Sequence, residues 1–103
     1  MKLPNRENAQ VPPSKLGEYL LSETHPIGRS KARFLRALGF DDTNVNLLGQ
    51  ALIAIANSED VKEVTSSPHG TKYVIDGMLE TPSGNLTAVR TVWIIDRGQD
   101  RPR

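Results

Sequence analysis

Residues 61–95, VKEVTSSPHGTKYVIDGMLETPSGNLTAVRTVWII, decide the fold. The stretch holds three runs rich in β-branched residues, 61–66, 71–80 and 86–95, parted by two short clusters of turn formers. Ser67-Pro68-His69-Gly70 and Pro82-Ser83-Gly84-Asn85 read as hairpin turns, the glycines accepting the positive φ that tight connections demand. Loops this short make neighbouring strands antiparallel. In the third run Val89, Trp93 and Ile95 share one face and Leu86, Val92 and Ile94 the other. Apolar residues on both faces predict a covered strand in the centre of the sheet.

Upstream of the sheet the period changes from two to that of a helix. Val45, Leu48, Leu52 and Ile55 recur at helical intervals, Ala51 and Ala56 fill the same face, and Asp42 or Thr43 is placed to cap the helix. A shorter helix is expected from a cap at Ser30, with Phe34, Leu35 and Leu38 as its apolar stripe and Gly39 as its stop. Ser14 caps a third, in which Leu16, Tyr19 and Leu20 keep helical spacing as far as Ser22. Residues 1–13 carry Pro4, Pro12 and Pro13 without apolar period and read as an extended arm. The expectation is therefore one α+β domain over 1–103. Residues 14–57 form its helical half, with three helices on one face of a three- to four-stranded antiparallel sheet over 61–103.

Composition narrows the chemistry. The chain has no Cys, which removes disulfides, thiolate catalysis and Cys-based metal sites and fits a reducing cytoplasm. The opening residues Met1 to Glu7 lack the apolar run of a signal peptide, and the apolar stretch 47–56 is far short of the roughly 20 residues a membrane helix needs. Thirteen Lys and Arg against twelve Asp and Glu leave a net charge of +1, so any anion site must be local. Two places stand out: Arg29, Lys31, Arg33 and Arg36, which meet no acid, and the tail, where Arg97, Arg101 and Arg103 face only Asp96 and Asp100. Either also suits a solvated basic face.

The first of these lies in a turn that feeds a helix, His25-Pro26-Ile27-Gly28-Arg29-Ser30-Lys31. Free N–H groups and the positive dipole end favour an anion at such a start, and Gly28 lets a ligand approach the backbone. Arg29 and Lys31 sit at the unfavourable end of the dipole, at a cost of a few tenths to ~1 kcal/mol unless an anion is present. His25, with an unperturbed pKa of about 6.5, suits proton transfer at neutral pH. Cleavage of RNA by its own 2′-hydroxyl needs these parts: a base, an acid and a cation for the charge on phosphorus, with no metal and no cofactor. In that reading His25 is acid or base, Lys31 stabilises charge, Tyr73 and Thr91 offer hydroxyls to the phosphate, and Trp93 stacks a base. Arg29, Gly28 and His69 complete the substrate contacts. The plainer readings are turn positions for both histidines, ordinary strand positions for Tyr73 and Thr91, and a core position for Trp93. No metal-ligand spacing, phosphate loop, Gly-x-Ser-x-Gly elbow or dinucleotide fingerprint is present.

Lys15-Leu16-x-x-Tyr19-Leu20-Leu21, His25-Pro26-x-Gly28-x-x-Lys31-Ala32-x-Phe34, Gly39-Phe40, Gly70-x-Lys72-Tyr73 and Thr91-x-Trp93-Ile94 resemble a family of small bacterial domains. Those domains also occur as C-terminal warheads of polymorphic and contact-dependent inhibition toxins, and the resemblance covers nearly the whole chain. Such domains are similar to the barnase, colicin and RelE group of ribonucleases, with helices on one face of a four-stranded sheet and the active site on or beside it. The resemblance implies a cytoplasmic ribonuclease toxin, often acting on tRNA, and a cognate antitoxin or immunity protein. It points to His25 and Lys31 first, then to Tyr73, Thr91 and Trp93. Where the family runs on past Pro-Arg into a further strand with a Thr-x-Tyr-Pro-like stretch, this sequence ends at Arg101-Pro102-Arg103. The alternative is a non-catalytic module that binds protein or RNA through the same groove and an exposed sheet edge.

Overall fold

The computed structural model describes residues 1–12, 16 and 29–103, with side chains along the first α-helix from residue 32 onward. Its elements are a 3-10 turn at Arg6–Asn8, α1 (Arg29–Ala37), α2 (Val45–Ser58), β1 (Glu63–Ser67), β2 (Gly70–Glu80) and β3 (Leu86–Asp96). The three strands form an antiparallel sheet in the order β1-β2-β3. This is an α+β fold whose strands fall within two residues of the sequence expectation. The central strand is β2, however, and not β3. Apolar residues on both faces of β3 report its two surfaces and carry no information about its two edges. The outer surface is in fact open, with Leu86 60% and Val92 49% exposed.

Both hairpins are closed by the residues that signalled them. Ser67 and Gly70 face each other across a two-residue loop, and a Cβ on Gly70 (φ +152°) would sit 2.4 Å from the Ile95 carbonyl oxygen. Only glycine fits there. In the second hairpin the buried Thr81 donates both its N–H (2.9 Å) and its hydroxyl (3.0 Å) to the Asn85 carbonyl, and the Gly84 N–H returns to the Thr81 carbonyl at 2.8 Å.

The α1 helix ends as Gly39 predicts. Gly39 adopts φ +102°, its N–H bonds to the Arg36 carbonyl at 3.0 Å, and the Phe40 N–H reaches back to Leu35 at 3.1 Å. Its buried stripe is Ala32 and Leu35, whereas Phe34, expected in that stripe, is 46% exposed. Phe34 lies one residue, or about 100° of helix rotation, from Leu35. Ser30, the expected cap, already lies within the helix. The entry to α2 also departs from expectation, because neither Asp42 nor Thr43 caps it. Asn44 precedes Val45 without a side-chain cap. The Asp41 carboxylate instead accepts the Thr43 N–H (2.8 Å) and hydroxyl, and Asn44 donates to the Gly39 carbonyl (2.9 Å) while accepting the Asp41 N–H (2.7 Å). The Thr43 hydroxyl, first of several donors, holds the Asp41 carboxyl below its ordinary range. The first of the three expected helices, over 14–22, lies outside the described residues apart from the buried Leu16.

The core joins Leu35 and Phe40 from the α1 region, Leu48, Ile55 and Ala56 from α2, and Ile75, Leu79 and Trp93 from the sheet. Helix α2 packs tightly on β2 at Gly77, where an added Cβ would lie 2.8 Å from Ile55 Cγ2. The arm expected to be simply extended is anchored. Leu3 is 1% exposed, the Met1 carbonyl accepts the Val61 N–H (2.7 Å), and Lys2 Nζ donates to the Ser58 carbonyl (2.6 Å). At the other terminus Arg103 and Ile94 exchange two backbone hydrogen bonds of 3.0 Å, so the tail begins to pair with the outer edge of β3.

Candidate functional site

Two of the expected site residues, His25 and Gly28, lie outside the described residues, as do the side chains of Arg29 and Lys31. The backbone places Arg29 and Lys31 in the first turn of α1, which contains no acidic residue. Cations in a first turn lie at the unfavourable end of the helix dipole.

The remaining candidates on the sheet are described in full. Tyr73 pairs with Trp93 and Ile75 with Thr91 across β2 and β3, so all four share the core-facing surface. Thr91 is 9% and Trp93 3% exposed. The Thr91 hydroxyl donates to the Ile75 carbonyl at 2.8 Å and accepts the Trp93 indole N–H at 3.0 Å. Its donor is thus spent within the sheet, and the indole ring is enclosed by core. These contacts give Thr91 and Trp93 a supporting role, since neither presents a free polar group or an open ring face. Tyr73 is half-buried against the same cluster. His69 is exposed in the loop between β1 and β2, at the end of the sheet.

The sequence reading passed over a cross-strand charge cluster on the opposite surface. Arg90 grips Asp76 with two hydrogen bonds, Nε to Oδ1 at 2.8 Å and Nη2 to Oδ2 at 3.1 Å, and Lys62 approaches the same carboxylate at 3.2 Å. The Arg90 hydrogen bonds, followed by Lys62, pull the Asp76 carboxyl down to about 2. The cluster borders a shallow open hollow of about 520 Å³ lined also by Glu59, Gly77, Met78, Ala88 and Val89. A signal was available, because a hairpin centred near residue 83 brings positions 76 and 90 face to face. Among the described residues no group of three or more His, Cys, Asp or Glu is placed to hold a metal ion, and no helix is long and apolar enough to cross a membrane.

The family described as "Domain of unknown function (DUF6883)" matches residues 2–103. No curated protein matches the chain. Among solved structures, a chain of the "Contact-dependent growth inhibition toxin - immunity protein complex from Klebsiella pneumoniae 342" has the same fold. The TM-score is 0.67 at 19% sequence identity, over 95% of this chain and 92% of that one.

Proposed function

The chain belongs to the DUF6883 family, and we propose that it is a toxin-type, metal-independent endoribonuclease domain that acts in the cytoplasm and is neutralised by a cognate immunity protein. The observation that carries this reading is the fold shared, nearly end to end, with a chain of a toxin–immunity complex. The acid-free first turn of α1, with Arg29 and Lys31, supports an anionic substrate. In the proposed reaction a 2′-hydroxyl of RNA, tRNA among the candidates, gives its proton to a general base and attacks the adjacent phosphorus while a general acid protonates the departing 5′-oxygen, His25 serving as one of the two. The 5′-oxygen leaves with a proton, yielding a 2′,3′-cyclic phosphate and a 5′-hydroxyl. Lys31 offsets the charge that develops on the phosphoryl oxygens. Arg29 and the backbone at Gly28 hold the phosphate, Tyr73 offers it a hydroxyl, and Thr91 with Trp93 supports β3.

The test is to incubate total RNA and purified tRNA with the pure protein in EDTA and to analyse the product ends. Cyclic phosphate ends are expected, and His25→Ala and Lys31→Ala each lower the rate by roughly 10²- to 10⁴-fold, the range for a positioned proton-transfer group. RNA left intact by the folded, immunity-free protein rejects the reading.

A second reading, a binding module without catalysis, is favoured by the open sheet surface, where Met78, Leu86 and Val92 are about half exposed or more. It predicts a stable complex with a partner protein and no RNA cleavage in the same assay.

A further inference from the structure

The tail cations singled out in the sequence do not stand alone in the fold. The Arg97 N–H donates to the His69 carbonyl at 2.9 Å, which ties the end of β3 to the β1–β2 loop. Lys72 lies opposite Ile94 on β2, and Ile94 in turn pairs with Arg103. Along the sheet, Lys72 is two residues from Gly70, about 7 Å, and Gly70 faces Asp96 one strand away, about 5 Å.

The charges at this end are unevenly satisfied. Arg103 is held by Asp96 through two hydrogen bonds of 2.7 and 3.2 Å. Arg101 donates to a neutral acceptor, Gln10 Oε1, at 3.1 Å. Among the described residues the side chains of Lys72 and Arg97 have no partner. Counting side chains, four cations, Lys72, Arg97, Arg101 and Arg103, therefore meet two acids, Asp96 and Asp100, while Arg6 and Glu7 on the neighbouring turn cancel. By the same side-chain count the whole chain carries only +1, so this end is more positive than the chain as a whole. Elsewhere Lys2 pairs with Asp60, and Lys62 and Arg90 share the Asp76 carboxylate, so none of those three cations lacks an acidic partner.

We infer that the end of the sheet formed by the β1–β2 loop, Lys72 and the Arg97–Arg103 tail is a binding surface for the phosphate backbone of RNA. The inference rests on the RNA reading above and adds where a strand is held outside the reacting centre. Exposed cations without apolar anchors suit phosphates. Protein interfaces are built around buried aromatic and apolar residues; of the sheet's large exposed ones, Met78 and Leu86 lie toward its opposite end and Val64 and Val92 in its middle, none of them beyond Lys72 toward the β1–β2 loop and the tail. Contacts of this kind position a strand without reading its sequence, and their strength falls steeply with salt.

The test is fluorescence anisotropy with a labelled 2′-O-methyl RNA, which lacks the attacking hydroxyl and stays intact. The wild type is compared with Lys72→Gln/Arg97→Gln/Arg101→Gln between 50 and 200 mM salt. All three side chains are exposed, and the single substitutions serve if the triple one melts early. The slope of log affinity against log salt is expected to shrink by about 2 in the triple variant, about 0.7 per lost phosphate contact, with affinity at 50 mM down about tenfold or more. Lys62→Gln, which removes one charge as each single substitution does but in the Asp76 cluster, changes affinity by less than about twofold and by less than any of the three singles, the small effect of a cation already paired. An unchanged slope in the triple variant overturns the inference. So does an equal loss in Lys62→Gln, or a triple variant that loses polyglutamate and keeps RNA, which would make the occupant an acidic protein. Cleavage of unmodified RNA is scored separately. Cut RNA with unchanged binding in the triple variant removes this surface alone, and uncut RNA with charge-dependent binding removes the nuclease alone.

Discussion

Replacing Thr91 by Val keeps the shape of the side chain and removes its hydroxyl. Two groups then lose their partner: the indole N–H of Trp93, in a residue 3% exposed, and the carbonyl of Ile75, in a residue fully buried. A buried donor left without an acceptor costs about 1–3 kcal/mol, and a carbonyl that loses one hydrogen bond about 1 kcal/mol more. The expected loss is therefore about 2–4 kcal/mol, or a melting point lower by roughly 10–20 °C for a domain of this size. Trp93 is the chain's single tryptophan, so its emission during urea unfolding reports this contact directly. Thr91→Ser, which keeps the hydroxyl, should cost under about 1 kcal/mol by the loss of one methyl group. In a Trp93→Phe background, where no indole N–H remains to be orphaned, Thr91→Val should cost about 1–3 kcal/mol less than in the wild type. A Thr91→Val protein as stable as wild type within about 0.5 kcal/mol would refute this account, that being the size of an ordinary surface substitution. If that stable protein had also lost RNA cleavage, the hydroxyl would serve the reaction and not the core.

Two further predictions follow from charge and from backbone geometry. Asp76, with its carboxyl held near 2 against an ordinary 3.8, contributes stability that is complete above about pH 4 and is lost as the pH falls toward 2, because protonation releases Arg90 and Lys62. Acid titration of the urea midpoint should be flatter between pH 4 and 2 in Asp76→Asn than in wild type, and parallel curves would contradict the assignment. Gly70→Ala places a Cβ against the Ile95 carbonyl at a backbone angle that side chains avoid, so it should cost at least about 2 kcal/mol by thermal melting. A melting point close to wild type would show that the hairpin tolerates a different turn.

The local elements were legible because their signals are local. Val45 to Ser58 carries a helical period, the strands carry β-branched runs, and each break falls at a turn former that the fold uses: Gly39, Gly70 and the segment ending in Gly84. Where sequence reasoning missed, the deciding partner was distant. Phe34 and Leu35 are adjacent apolar residues, and only the position of the core relative to α1 separates the exposed one from the buried one. Asp42 and Thr43 have good capping chemistry, but Asp41 takes the Thr43 donors and leaves α2 to begin after Asn44. Of the site, the acid-free start of α1 was visible in the sequence, whereas the internal use of the Thr91 hydroxyl was not.

The sequence by itself determined the class of fold, the order of the elements and the two hairpin loops, since these depend on backbone preferences and short-range periodicity. Only the tertiary structure decided which strand is central, which surface of the sheet is buried and which charges are neutralised. Those outcomes depend on register and packing between residues far apart in the chain. Asp76 meets Arg90, Arg97 meets the loop of His69, and Trp93 meets Thr91 instead of an open groove because antiparallel pairing carries them there.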